Sequence, residues 1–198
     1  MVWFVAGSLD RAGTGRQAPA PGGACRGLPA RLAARQRVGT MADIGILQQR
    51  RIEAAFAKGV FEEMAAELGA ERAKAILTRA VVKLAKQTAG AMAAAAPEGP
   101  GLDHFVAIQE LWTRDDALRI EPVARDTTRF EFNVTRCRYA EMYREMGLAE
   151  LGAVLSCNRD GAFCEGYDPR LKLTRTQTLM GGAAHCDFRY QMAETEGG

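Results

Sequence analysis

The sequence has no run of 18 or more apolar residues, so nothing in it reads as a membrane-spanning helix. It has no Walker sequence and no Gly-rich dinucleotide fingerprint, which removes the common nucleotide-binding motifs. Histidine is scarce, at 2 residues, and no two of the 5 Cys stand at the C-x₂₋₄-C spacing of structural zinc sites. Lysine is absent from the first forty residues, where six Arg face one Asp for a net charge of +5. Residues 41–198 carry 20 basic and 23 acidic side chains, a net charge of −3. The functional part therefore lacks the clustered positive charge that phosphate neutralisation needs, and a nucleic-acid partner is not expected. No membrane partner is expected either.

Ala, Gly, Arg and Pro supply 24 of residues 1–40. Such a stretch cannot offset its ordering entropy by burial. It reads as a disordered leader or as a mis-assigned N-terminal extension with Met41 as the start. The apolar opening is too short for a secretory signal, and a cytoplasmic location is expected. Residues 41–198 read as a single domain.

Within that domain, Ile52, Phe56, Val60, Met64 and Leu68 recur at spacings of four, predicting an amphipathic helix over 46–68 closed by Gly69. A second, Ala-rich helix runs to about Pro97, and the two should form a hairpin with their apolar stripes on the core. A third helix is expected over about 103–116. Residues 118–124 and 129–135 read as paired strands, with Phe130, Phe132 and Val134 alternating against polar neighbours. Helices follow at about 136–147 and from Leu148. A second strand pair is expected over 171–180 and 185–191, joined through Gly181-Gly182. The order predicts an α+β fold: an N-terminal helical hairpin plus helices packed on a mostly antiparallel sheet of about four strands built from two hairpins. The Tyr- and Met-bearing helix at 139–146 suits a core or a dimer contact, so a homo-oligomer is a possible state.

Cys137, Cys157, Cys164 and Cys186 crowd into fifty residues. Buried cysteines often only fill space. Metal binding is a second reading, and nucleophilic catalysis a third, in which a thiolate attacks an electrophilic carbon beside a base and stabilising donors. Cys157 with Asp160, Arg159 and His185 could supply that set if the fold brings them together.

These residues carry a resemblance. Asn133-Val134-Thr135-Arg136-Cys137, Tyr139, Tyr143-Arg144-Glu145-Met146-Gly147, Leu148-Ala149-Glu150-Leu151-Gly152, Cys157-Asn158-Arg159-Asp160, Arg175-Thr176-Gln177-Thr178-Leu179, and Gly181 before Cys186-Asp187-Phe188-Arg189-Tyr190 resemble the L-2-amino-thiazoline-4-carboxylic acid hydrolase family over about residues 46–192. Cys164 and His185 match no position of that pattern. The resemblance implies a hydrolase that opens a small cyclic isothiourea at a C–N or C–S bond to give a carbamoyl-cysteine. It implies Cys157 as nucleophile and Asp160 as its base or orienting partner. Cys137, Arg159, Arg175, Cys186 and Asp187 would bind the substrate, a small molecule with a carboxylate. No cofactor is expected, with zinc or iron held by the thiols as an open alternative. The other reading is a non-catalytic ligand-binding or sensor module of the same fold.

Overall fold

A computed structural model describes residues 44–193 of the chain. The proposed leader and the start at Met41 lie outside the described residues. Helix α1 spans Ile46–Leu68 and α2 spans Ala70–Ala94. Gly69 separates them with φ +82, a value that L side chains rarely adopt. Two short helices follow, α3 (Leu102–Ile108) and α4 (Glu110–Thr113), then a 3₁₀ turn over Arg114–Asp116. Strands β1 (Leu118–Arg125) and β2 (Arg129–Cys137) form the first hairpin. Helices α5 (Arg138–Glu145) and α6 (Ala149–Gly152) lead through a π-helical turn, Ala153–Cys157, into α7 (Asn158–Tyr167). Strands β3 (Leu171–Thr174) and β4 (Cys186–Met192) complete the sheet. No helix among the described residues is long and apolar enough to cross a membrane.

The fold is α+β. The four strands run in the order β1-β2-β4-β3, and every pairing is antiparallel. β2 and β4 lie at the centre, with Phe130 opposite Tyr190, Phe132 opposite Phe188 and Val134 opposite Cys186. These pairs make one apolar face, because side chains two apart on a strand share a side. Pro122 interrupts β1, which is an edge strand where a missing N–H is tolerated.

The apolar face packs on α2, α3 and α7 around Phe105, Phe163, Tyr167 and Tyr190. A second cluster joins α1 to α5 and α6 through Ala54, Tyr139, Met142, Tyr143 and Leu155. The 139–146 helix thus serves the core. α2 and α7 cross closely at Gly166. A Cβ there would lie 2.5 Å from the Lys86 Cα and carbonyl oxygen, so only glycine permits the approach.

Three local expectations are corrected. The α1 stripe does not face the core. Ile52 is 55% exposed and Phe56 77%, while Arg50, Ala54 and Phe61 turn inward. The inner face of α1 instead carries Leu47, Ala54, Ala57 and Phe61 against the second cluster, and the stripe is left outside. The third helix is divided at Gln109 into α3 and α4, and past Thr113 the residues Asp115 and Asp116 take left-handed φ values (59 and 55) as the chain turns into β1. The strand expected over 171–180 ends at Thr174. Beyond it the chain is held as a loop: Asp187 accepts hydrogen bonds from the Thr176 and Gln177 backbone, and Arg144 donates to the Leu179 carbonyl.

Candidate functional site

Between the two core clusters lies a cavity whose walls come from α1, α2, α3, α4, β1, β2, β4, the π-helical turn, α7 and the loop after β3. It has two chambers of about 70 Å³ each. The first chamber gathers Cys137, Cys157, Arg159, Asp160, Arg175 and Cys186, together with Arg50 and Tyr139. Residues far apart in sequence converge here because Cys137 ends β2, Cys186 opens β4 beside it, and Cys157 and Asp160 face them from the start of α7. Cys157 closes the π-helical turn, and Asp160 stands three residues on, a spacing at which helical side chains share a face.

Arg175 organises this chamber. One guanidinium nitrogen donates to the Asp160 carboxylate, and the other donates to the Cys157 carbonyl at 3.1 Å. The same guanidinium stands 5.0 Å from the centre of the Phe188 ring, a cation–π distance. Burial pushes the Asp160 carboxyl above its ordinary range, and the charges of Arg175 and Arg159 pull it back in part. Its side chain keeps 31% of its surface accessible, which opens into the cavity it lines. Asp160 is therefore a carboxylate with raised proton affinity, reachable by a ligand.

Arg159 donates to the Leu155 carbonyl at 2.7 Å and to Glu53 at 3.2 Å. Arg50 pairs with the same Glu53 carboxylate. Three guanidinium groups against the carboxylates of Asp160 and Glu53 leave one positive charge in excess, which favours an anionic ligand.

The thiols are neutral at rest. Burial, reinforced by the Asp160 charge and opposed by Arg175, pushes Cys157 up to about 12. Burial pushes Cys137 up to about 11 and raises Cys186. Two sulfurs also have structural work. Cys137 Sγ accepts the Ala140 N–H at 3.4 Å and caps α5, and Cys186 Sγ accepts the Leu179 N–H at 3.1 Å and pins the loop. Among the described residues no group of three or more His, Cys, Asp or Glu is placed to hold a metal ion.

The remaining sequence candidates stand elsewhere. Asp187 does not line either chamber. Its carboxylate accepts from the Thr176 backbone and hydroxyl and from the Gln177 backbone, which holds the loop. His185 bonds Gln177 at 2.8 Å, outside the chambers. Cys164 is 2% exposed and packs in the sheet-side core.

Sequence reasoning missed Arg50, Trp112 and Tyr139, which all line the first chamber. A signal existed for Arg50. It occupies a core-facing position of α1, four residues before buried Ala54, where a charged side chain needs a polar cavity or a partner. Tyr139 donates its hydroxyl to the Trp112 carbonyl at 3.3 Å, a contact 27 residues apart that no local pattern announces.

A model of the family described as L-2-amino-thiazoline-4-carboxylic acid hydrolase matches residues 49–190. No curated protein matches. Among solved structures, the chain is similar to one described as the crystal structure of the phenol-responsive sensory domain of the transcription activator PoxR with phenol. The identity is 16%, the TM-score 0.44, and the match covers 72% of this chain and 74% of that one.

Proposed function

Since the chain belongs to the L-2-amino-thiazoline-4-carboxylic acid hydrolase family, we propose that its first chamber hydrolyses a small cyclic isothiourea bearing a carboxylate. The observation that carries this reading is the convergence of Cys157, Asp160 and Arg175 on one cavity with a surplus positive charge. Arg159 and Arg50 line the same chamber and offer the carboxylate a bidentate donor.

The resting thiol is protonated, so the proton must leave as the bond forms. Cys157 Sγ adds to the ring carbon between sulfur and nitrogen while Asp160 takes the thiol proton. The C–S bond of the ring then breaks, and the ring sulfur leaves with that proton as a free thiol. Water adds to the remaining carbon and displaces Cys157, leaving a carbamoyl group and restoring the enzyme thiol. A raised carboxyl suits Asp160 to this work, because a general base is most effective when its proton affinity approaches the working pH. Arg175 orients Asp160 and the Cys157 backbone together.

A second reading, ligand binding without turnover, is favoured by the neutrality of all three cavity thiols. Thiol release separates the two. Incubating the protein with 2-amino-thiazoline-4-carboxylate should liberate a free thiol, measured with a chromogenic disulfide, and Cys157→Ser should stop it while leaving the fold intact. Binding with no thiol release would establish the non-catalytic reading.

A further inference from the structure

The second chamber is built differently from the first. Beside Thr88, Gln109 and Thr113, it is lined by six aromatic rings, Phe105, Phe132, Phe163, Phe188, Tyr190 and Trp112. They interlock: Phe105 meets Tyr190 edge-on at 4.9 Å, Trp112 meets Phe163 edge-on at 5.3 Å, and Phe132 stacks on Phe188 at 5.0 Å. Edge-on and stacked contacts of this kind fix ring positions, so the chamber is preformed. Tyr190 is 4% exposed, and its hydroxyl is held neutral by burial and by the Asp160 charge.

The two chambers share Arg50, Trp112, Leu118, Arg159, Asp160 and Phe188. Asp160 therefore stands at their junction. One water needs about 10–15 Å³ on this scale of volume, so a chamber of about 70 Å³ holds a ring-sized group. The heterocycle and its carboxylate are matched by the thiols and guanidinium groups of the first chamber. That pairing leaves the aromatic-lined part of the second chamber, beyond the shared Arg50, Arg159 and Asp160, unmatched by the parent heterocycle.

We propose that the second chamber binds a planar apolar substituent of the substrate, so that the ligand class is a heterocyclic carboxylate carrying an aromatic or similarly flat hydrocarbon arm. The proposal rests on the carboxylate-binding reading of the first chamber for the anionic half of the ligand. It stands on its own for the apolar half. Phe188 links the two, with the Arg175 cation by its ring and Phe132 stacked against it at 5.0 Å.

The test uses three probes with the full chain: 2-amino-thiazoline-4-carboxylate, its 5-phenyl derivative, and toluene. Binding is followed by calorimetry and by tryptophan fluorescence, since Trp112 borders both chambers. Two variants fill the second chamber. Ala85→Leu adds bulk at a buried wall position, and Thr88→Trp adds it at an exposed wall position where folding is least at risk. The phenyl derivative should bind at least about tenfold more tightly than the parent compound, as burial of a ring-sized apolar group implies. Both variants should erase that gain and leave the affinity for the parent compound unchanged. A phenyl derivative no tighter than the parent compound, or a gain that survives both variants, overturns the proposal while the first-chamber reading stands. Toluene binding that the variants abolish, with neither carboxylate bound, supports the apolar chamber and overturns the carboxylate reading. Failure of all three probes overturns both.

Discussion

Arg175 ties the loop after β3 to the start of α7, donating to the Asp160 carboxylate and, at 3.1 Å, to the Cys157 carbonyl. Arg175→Met keeps length and removes charge, and it strands a poorly hydrated carboxylate. Breaking such a pair from one side costs about 3 kcal/mol. The loss should be largest near neutral pH and should shrink in acid, where Asp160 takes up a proton and no longer needs a cation. Urea denaturation of both proteins at pH 7.5 and pH 4.5 checks this. An equal loss at the two values would mean that Arg175 acts through packing alone.

The neutral thiols predict slow alkylation. A rise from 9.0 to about 12 lowers the thiolate fraction of Cys157 near neutral pH by three orders of magnitude. Iodoacetamide should leave Cys157 unmodified at pH 7.5 on a timescale that exhausts free cysteine, as mass mapping would show. The folded state holds these protons more tightly than the unfolded chain does. Stability should therefore decline as pH climbs above about 9, toward the raised values near 11 and 12.

Two glycines should respond differently to alanine. At Gly166 the new Cβ meets Lys86 backbone at 2.5 Å, and α2 and α7 must separate. The expected cost is about 2–3 kcal/mol, in the range of overpacked cores. At Gly152 the Cβ meets the flexible end of Met180. Met180 can swing away, so stability changes less, but Met180 lines the first chamber and ligand affinity should fall. Melting temperatures alongside binding isotherms would separate the two effects. A Gly166→Ala variant as stable as the parent protein would refute the close crossing.

The exposed α1 stripe gives a contrast with the core. Phe56→Gln should change stability by no more than about 0.5 kcal/mol, because the ring is 77% exposed. Phe105→Ala, at a residue 1% exposed, should cost about 3–5 kcal/mol. Comparable losses at the two positions would return the stripe to the core.

Asp187 should prove to be a loop anchor. Burial alone would raise its carboxyl, but hydrogen bonds from Thr176 and Gln177 outweigh it and hold the group at about 2. Its contribution is present above the ordinary value of 3.8 and is lost as pH falls toward 2. Asp187→Ala should loosen residues 175–185, seen as faster amide exchange at Thr176 and Gln177, and should narrow the stability difference from the parent protein in acid. Unchanged exchange would remove the anchoring role.

Much of the fold was legible because it depends on local periodicity. The alternation of Phe130, Phe132 and Val134 shows in the sequence and survives as the face of β2. The convergence of Cys137, Cys157, Asp160 and Cys186 was only suggested, since no spacing within one element brings strand ends to a helix start. The α1 stripe misled for a related reason. Periodicity reports that a helix has an apolar face but not which face its neighbours can reach, and here the side carrying Leu47, Ala54, Ala57 and Phe61 packs on the core.

By itself the sequence determined the α+β order of elements, the four-stranded antiparallel sheet and the family pattern of cysteines, arginines and Asp160. These follow from side-chain period, turn residues and residue identity, all of which are local. Tertiary structure alone decided that Arg175 pairs with Asp160, that Arg50 and Trp112 border the thiols, that Asp187 serves the loop, and that an aromatic chamber adjoins the cysteine-lined one. Each of these joins residues on elements distant in the chain. Such pairings are set by how helices and sheet pack across a shared core, where the cost of burying a charge or leaving a space depends on neighbours that sequence order does not specify.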